Sequence, residues 1–157
     1  IDRPNLPALS GDRFIGFKKA VDENDLKFSE AQIIRFKLGK INRLKKDLEN
    51  MFQSPKTAPT AIFCLDDDLA YRIILVLQEM KLSVPNDVSI IAPGDVLDYG
   101  RPQTFPITTM RIDTSYIGKL GAQMLINRLN SQPEELHVIK IKQQLVQRGS
   151  CQEKSQT

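Results

Sequence analysis

The chain has 157 residues, of which 41% are hydrophobic and 26% are charged, proportions typical of a globular protein with its own core. Its 22 basic and 19 acidic residues leave a net charge of only +3, which gives no argument for nucleic-acid binding. No apolar run reaches the roughly 20 residues that cross a bilayer, and no signal peptide opens the chain. The two cysteines have neither disulfide nor metal-ligand spacing, so a cytoplasmic protein is expected.

The first part of the chain predicts helices and strands in alternation, which indicates βαβ units and a parallel sheet. Apolar residues at helical or strand spacing mark each of them. In chain order they are a helix capped by Ser10 and ending near Asn24, a strand over 32–36, a helix over 41–52, a strand over 61–65 buried on both faces, a strongly apolar helix, and a strand over 88–92.

The second part begins with a long loop over 93–106, and loops of that length in compact domains are often functional. A strand or extended crossover over 107–112 and a helix over about 114–129 follow. Gly118 and Gly121 would let another element approach that helix closely. An alternating, half-buried strand is predicted over 138–142 and another strand over 144–148.

Three consecutive carboxylates, Asp66, Asp67 and Asp68, follow the predicted strand 61–65. Ligands of α/β sheets collect at the carboxyl ends of the strands, so these residues are the first candidates for a site. They could serve Mg²⁺-dependent phosphoryl chemistry through a nucleophilic aspartate, or accept hydrogen bonds from the hydroxyls of a sugar. For Asp67 or Asp68 the alternative is helix capping.

Two further residues are predicted at the same edge of the sheet. Arg13 lies in the first turn of its helix, where a guanidinium can donate paired hydrogen bonds to a ligand; an ordinary surface ion pair is its alternative role. Asp95 follows the strand 88–92, which should neighbour the strand before Asp66. It either closes the same pocket or belongs to an ordinary turn.

No catalytic arrangement accompanies these residues. His137 stands without a Ser, Cys or metal-spaced partner, Cys64 lies in a predicted core strand, and Cys151 has no basic residue placed to activate it. The sequence contains no nucleophile–base pair, no Gly-rich phosphate loop and no zinc set. It therefore predicts a binding protein and not an enzyme, with no cofactor and no metal.

The helix after the aspartates is apolar around nearly its whole circumference, with mainly Arg72, Gln78 and Glu79 as polar positions. A helix on one face of a sheet needs only one apolar stripe. Either neighbouring helices or a second subunit must cover the excess, and the sequence favours a homodimer.

Taken together, five segments resemble the sensor domain of LacI/GalR-type repressors in residues, order and spacing. They are RFIGF at 13–17, PTAIFCLDD at 59–67, VPNDVSII at 84–91, PITTMR at 106–111 and LVQRGS at 145–150. The resemblance covers most of the chain.

This resemblance implies an α/β fold with a parallel sheet flanked by helices, a Rossmann-like lobe of a two-lobe, periplasmic-binding-protein-like sensor. The effector of such a sensor binds in the cleft and is usually a sugar or another small metabolite. Residues 1–112 would be the C-terminal lobe, and residues 113–151 a crossover helix and terminal strands that pack on an N-terminal lobe not in this chain. A disordered tail over 152–157 would follow.

The resemblance also assigns roles to individual residues. Arg13 matches the effector-binding arginine, Asp66 stands where an effector-binding asparagine is usual, and Asp95 is the remaining aspartate of a pair whose first member is Gly94 here. Phe36 is included among the expected effector-binding residues. Residues of the apolar helix fall where the family dimerises; the expected interface positions are Tyr71, Ile74 and Leu75.

The function implied is effector sensing and dimerisation for a bacterial transcriptional regulator. Operator DNA would be bound by a head absent from this chain, either a helix-turn-helix or a GntR-type head, with no membrane partner. The alternatives are a sugar-binding protein of a transport system and, from a different class, an Asp-dependent Mg²⁺ phosphoryl enzyme.

Overall fold

A computed structural model describes residues 7–36, 39–130 and 138–153. Four α-helices, one short 3-10 helix and four strands are present in these ranges. In chain order they are α1 (Pro7–Glu23), the 3-10 helix (Glu30–Gln32), α2 (Ile41–Phe52), β1 (Ala61–Phe63), α3 (Asp67–Glu79), β2 (Ser89–Gly94), β3 (Thr108–Arg111), α4 (Thr114–Asn130) and β4 (Gln144–Val146).

The four strands form one sheet in the order β1-β2-β3-β4. The pairs β1–β2 and β2–β3 are parallel, as expected for strands joined through helices or long loops. The pair β3–β4 is antiparallel, with Thr109 opposite Val146. The predicted α/β lobe with a parallel sheet flanked by helices is confirmed, with an antiparallel strand added at one edge.

The core lies between this sheet and the helices α2 and α3. Six residues of α3 are buried hydrophobics, and α2 adds Leu44 and Leu48. From the sheet, Ile62, Ile90 and Ala92 complete the same cluster. Fully burying a side chain of this size stabilises a fold by about 1.5–3 kcal/mol, so this cluster is the main source of stability.

The other face of the sheet contacts α1 through aromatic rings. Successive strand residues point to opposite faces, so Phe63 points away from its neighbour Ile62. Its ring stacks on Phe17 of α1 with centroids 5.4 Å apart, and Phe17 meets Phe28 edge-on at 5.2 Å. These contacts place α1, and with it Arg13, beside the end of β1.

Two predicted helix boundaries have different outcomes. The helix α2 has the predicted bounds, because its apolar positions recur with one clear period and a proline-containing loop follows it. The described part of helix α1 already includes Pro7, so Ser10 lies inside the helix and the prediction of Ser10 as its cap is wrong.

Two predicted strands do not form. Over 32–36 the structure has the end of the 3-10 helix and a single bridge residue, Arg35, because Ser29 and Gln32 make a capping box that starts a helical turn. Residues 138–142 make no strand pairing with the described part of the chain, and Val138 is 87% exposed. An alternating pattern favours a strand only where a neighbouring strand and a core are available to it.

The final strand joins the sheet of this lobe. Because β4 pairs with β3, the segment from Gln144 onward belongs to the same sheet as residues 61–111. The predicted division at residue 113 therefore separates strands that are hydrogen-bonded to each other. By contrast α4, at the start of that segment, has no buried residue.

Among the described residues, no helix combines the length and the apolar content needed to cross a membrane. The predictions for His137 and for tail residues 154–157 lie outside the described residues.

Candidate functional site

Asp66 is the N-cap of helix α3. Its backbone is extended, and its Oδ1 accepts a hydrogen bond from the Leu69 amide at 2.8 Å. This satisfies one of the amides that a helix N-terminus leaves unpaired. The cap predicted for Asp67 or Asp68 is therefore supplied by Asp66, and Asp68 instead pairs with Arg72 one turn later at 3.0 Å.

Arg13 lies at the same strand end as Asp66. Its Nη1 donates to the carbonyl oxygen of Leu65 at 2.8 Å, across 52 residues of sequence. Both side chains are half-buried. A guanidinium has five N–H donors and only one is used by this bond, so the others can serve a ligand. The structure thus brings together a donor and an acceptor at the carboxyl end of β1.

Asp67 is fully buried and holds the loop that follows β2. Its Oδ2 accepts three hydrogen bonds from that loop, from the Val96 amide at 2.8 Å, the Leu97 amide at 3.2 Å and the Tyr99 hydroxyl at 3.1 Å. Burial and the adjacent Asp67 carboxylate raise the pKa of Tyr99 above its ordinary value, so the phenol remains a donor.

Gly94 makes room for this arrangement. A Cβ at Gly94 would lie 2.5 Å from Asp67 Oδ1, and the residue has φ +135°, a conformation that L side chains rarely adopt. That Oδ1 is buried and has no hydrogen-bond partner among the described residues. Gly94, which stands where the family usually has an aspartate, therefore leaves the room that the buried side chain of Asp67 occupies.

Asp95 is the centre of a second set of contacts. It has φ +78°, and it accepts hydrogen bonds from Thr109 at 2.8 Å, from Arg148 at 2.6 Å and from Arg111. Its side chain is 5% exposed. Burial alone would raise the pKa of Asp95, but the hydrogen bonds from Arg111, Thr109 and Arg148 outweigh it and lower this pKa. Both carboxylate oxygens of Asp95 are thus bound by the protein itself.

Arg148 connects the last part of the chain to this loop. Its Nη1 donates to the Ile107 carbonyl at 2.8 Å and to Thr109 Oγ1 at 3.0 Å, and its guanidinium lies 3.9 Å from the centroid of the Tyr99 ring. Ser150 also binds this part of the chain to β3, because its Oγ accepts a hydrogen bond from the Thr108 amide at 2.7 Å. We call the side chains of Asp67, Asp95, Tyr99 and Arg148 the loop clamp.

Sequence reasoning missed most of the loop clamp. Tyr99 was only one of several residues of the long loop, and Arg148 was only part of a family motif. The available signal was the arginine of the closing LVQRGS segment, since a guanidinium can pair with a carboxylate through two parallel hydrogen bonds.

The other predicted site residues lie in the core or on the surface. Phe36 is 5% exposed and belongs to the core cluster, and Ile74 is 1% exposed in the same cluster. Ile74 is therefore a core residue, since a partner subunit has no access to it here. Leu75 is 44% exposed, and Tyr71 is half-buried with its hydroxyl 3.5 Å from the Gln103 carbonyl.

The site has no described features of a catalytic centre. Within the described ranges, no group of three or more His, Cys, Asp or Glu could hold a metal ion. Burial raises the pKa of Cys64 to about 12, so its thiol stays protonated and packs as a small hydrophobic group, as predicted. The arrangement can donate and accept hydrogen bonds to a polar ligand.

The sequence of this chain is similar to those of a known domain family and of known repressors. Residues 2–151 match the family model described as a periplasmic binding protein-like domain. The HTH-type transcriptional repressor PurR of Pectobacterium carotovorum subsp. carotovorum (strain PC1) is 31% identical over 138 residues, 88% of this chain and 40% of that protein. The PurR of Pasteurella multocida (strain Pm70) is 32% identical with the same coverage. The chain thus spans 40% of the length of these curated relatives.

Solved structures share the fold. A regulatory protein of the LacI family from Chloroflexus aggregans has a TM-score of 0.81 at 22% identity, over 96% of this chain and 53% of that one. The transcriptional regulator CelR in complex with cellobiose has a TM-score of 0.79 at 20% identity, over 96% and 45% of the two chains. A LacI family regulator from Enterococcus faecium with bound ribose has a TM-score of 0.72 at 24% identity, over 88% and 50%.

Proposed function

Because the chain belongs to the periplasmic binding protein-like family, as part of a LacI/GalR-type effector-binding domain, we propose that it senses a small molecule for a bacterial transcriptional regulator. The relatives of similar sequence are transcriptional repressors. Residues 7–111 with β4 would be one lobe of the sensor, and the effector would bind at the carboxyl end of its strands.

The contact between Arg13 and Leu65 carries this proposal. It joins helix α1 to the end of β1, directly beside the half-buried cap Asp66. A guanidinium and a carboxylate side by side match a ligand rich in hydroxyl groups, which both donates and accepts hydrogen bonds. We therefore propose a carbohydrate-like effector, consistent with the sugars bound to two regulators of the same fold.

In this proposal, Asp95 and Phe36 shape the site without touching the effector. Asp95 is bound by Thr109, Arg111 and Arg148, and Phe36 lies in the core. The effector would act on a DNA-binding head outside this chain by binding one arrangement of the regulator more tightly than another.

Dimerisation is proposed through the exposed side of α3. Leu75 is a large apolar side chain, 44% exposed on a helix whose other apolar residues are mostly buried. Leu75→Glu should give monomers in analytical ultracentrifugation without unfolding the lobe. Gln53→Glu, at an exposed position just after α2 and off this face, should leave the dimer intact. A dimer unchanged by Leu75→Glu contradicts the use of this face.

Thermal shift measurements on the intact protein test the site. Ribose and cellobiose are the probes, and a sugar that binds should raise the melting temperature as its concentration rises. Arg13→Ala should abolish this rise, because it removes the donor at the strand end. Arg72→Ala removes an exposed arginine paired with Asp68 and is the matched control that should keep it.

Asp66→Asn separates the two roles of Asp66. Asparagine is as good an N-cap as aspartate, so the cap of α3 should be kept. The response to sugar should change, because the charge and the acceptor pattern at the strand end are altered. If neither sugar stabilises the protein the carbohydrate assignment is wrong, and if Arg13→Ala responds normally the site is elsewhere.

A further inference from the structure

A broad groove crosses the lobe between residues 27–35, helix α2 and the loop before β1. Its volume is about 990 Å³. A second cavity of about 410 Å³ adjoins it. The two share four lining residues, Ile34, Arg35, Arg43 and Asp47. Together they form one elongated depression, which we call the basic groove.

The charge of the basic groove is strongly one-sided. It is lined by five cations and one carboxylate, namely Lys27, Arg35, Lys40, Arg43, Lys56 and Asp47. These described residues give the groove a local excess of four positive charges, whereas the whole chain has a net charge of only +3.

Most of these cations have no partner within the described residues. Arg43 lies 3.7 Å from Asp47, an i,i+4 pair on α2. Lys27, Arg35, Lys40 and Lys56 are exposed and make no ion pair with the described part of the chain. A solvated helix face normally interleaves acids with bases. Outside the groove, Lys45 of α2 does have a partner, Glu79 of α3, at 2.8 Å. The groove departs from that pattern.

Apolar side chains lie between the cations. Phe28, Ile33 and Met51 are half-buried in the larger cavity, and Ile34 and Phe36 line the smaller one from the core. A surface that combines apolar positions with unpaired cations along a groove suits an extended ligand with both apolar and anionic groups.

The basic groove is separate from the proposed effector site. Pro59 lines the groove just before β1, whereas Asp66 follows β1 at its carboxyl end. At a rise of about 3.3 Å per residue, the two positions lie roughly 20 Å apart along the chain. An occupant of the groove would thus not cover the proposed effector site at Arg13 and Asp66.

We propose that the basic groove binds an acidic segment of a partner protein, an extended peptide in which carboxylates alternate with apolar side chains. A small anion needs a compact set of donors, and here the cations are spread over two adjoining cavities. The phosphates of a DNA duplex would pair with the cations but would make no use of the apolar side chains between them. An extended acidic peptide uses both features.

Fluorescence anisotropy on the intact protein tests this proposal. The probe is a fluorescein-labelled peptide in which glutamates alternate with leucines, and a peptide of lysines and leucines is its negative counterpart. The acidic peptide should bind, and its affinity should fall as salt is raised, since screening acts over about 8 Å at physiological ionic strength.

Two double variants make the site specific. Arg35→Glu with Lys56→Glu reverses two charges of the groove and should weaken binding by about tenfold or more. Lys18→Glu with Lys142→Glu makes the same change in net charge at exposed positions outside the groove and should leave the affinity within about twofold. Circular dichroism should show equal folding of both.

Three results would overturn the proposal: no binding of the acidic peptide, equal loss in both double variants, or displacement of the peptide by inorganic tripolyphosphate or single-stranded DNA at lower concentrations than by unlabelled peptide. Either of the first two results would show that the basic groove is not a binding site for an acidic peptide. The third would show that the groove binds a different anion.

Discussion

The loop clamp and the helix α4 are two adjoining parts of this chain with opposite degrees of contact. In the clamp, the carboxylates of Asp67 and Asp95 are buried and receive six hydrogen bonds from loop, strand and closing segment. In α4 all 17 residues escape burial, and large apolar side chains such as Leu125 and Leu129 are 61% and 77% exposed. The clamp thus finds its bonding partners within the lobe, whereas the apolar side chains of α4 are left uncovered by it.

The contrast has a physical cause. A loop that carries buried polar groups is stable only if those groups are paired, so the clamp must be nearly complete within the lobe. The backbone groups of a helix are hydrogen-bonded within the helix, so it can form with solvent on every side. Its exposed apolar side chains then add little to stability, because most helical stability comes from packing. Accordingly, mutations in the clamp should affect stability far more than mutations in α4.

The largest effect is expected for Arg148→Ala. It leaves the buried Asp95 without the more buried of its two cations and removes two further hydrogen bonds and the contact with the Tyr99 ring. Breaking one side of such a pair costs about 3–5 kcal/mol of unfolding free energy, measurable by urea titration. Arg101→Ala removes an exposed arginine paired with Asp98 and should cost less than about 1 kcal/mol. Equal costs would mean that the clamp is no more than a surface pairing.

A smaller effect is expected for Gly94→Ala. The new Cβ would meet Asp67 Oδ1 at 2.5 Å and would occupy a backbone conformation that costs roughly 1–3 kcal/mol. The same substitution at Gly16, in a helix with open space around it, should be neutral or stabilising. Thermal melts of the two variants should shift in opposite directions, and a neutral Gly94→Ala would show that the loop can move away from Asp67.

Acid should weaken the clamp through Asp95. Its pKa is lower in the folded chain than in the unfolded chain, so its contribution to stability is present above the unfolded pKa of about 3.9 and is lost as pH falls through the folded value. Urea midpoints measured from about pH 5 downward should therefore decrease. Asp95→Asn should flatten this dependence, since asparagine tolerates the positive φ and does not titrate; an unchanged slope would assign the acid sensitivity to other carboxyls.

Tyr99→Phe should have a smaller effect of about 1 kcal/mol. It removes one of three donors to Asp67 Oδ2 but leaves the two loop amides and the aromatic ring beneath Arg148. Tyr116→Phe, on the exposed surface of α4, is the control and should change the melting temperature little. A loss as large as that of Arg148→Ala would mean that the hydroxyl, and not the ion pair, holds the loop.

The smallest effect is expected in α4. Leu125→Lys in this chain should change the unfolding free energy by less than about 0.5 kcal/mol, because the side chain is 61% exposed. Leu77→Lys, which places the same charge in the core, should prevent folding. Strong destabilisation by Leu125→Lys would contradict the exposed position of α4.

Part of the site followed from sequence because it depends on local rules. An apolar run before carboxylates and a helix predicts a strand end, and parallel neighbours bring Asp66 and Asp95 to the same edge of the sheet. The roles within DDD did not follow, since each of the three residues can cap a helix. Only the approach of the loop 95–99 decides that Asp67 is the buried acceptor.

The central helix illustrates the same limit. Its excess of apolar residues was interpreted as a dimer face including Ile74, but α2 and the sheet bury most of that excess within one chain. The exposed area of a helix depends on how many other elements pack against it. The sequence of the helix shows which residues are apolar but not which elements cover them. Leu75 is the large apolar residue of α3 that remains well exposed, and it defines the smaller face now proposed for dimerisation.

The sequence by itself determined the family, the parallel α/β lobe, the bounds of α2 and the position of Arg13 and Asp66 near one strand end. These depend on short-range periodicity and on motif order, which a linear chain records directly. The tertiary structure alone decided the loop clamp, the membership of β4 in this sheet and the one-sided charge of the basic groove. Each of these arises from residues dozens of positions apart, and their meeting is set by how sheet and helices pack, a property that no local stretch of the chain contains.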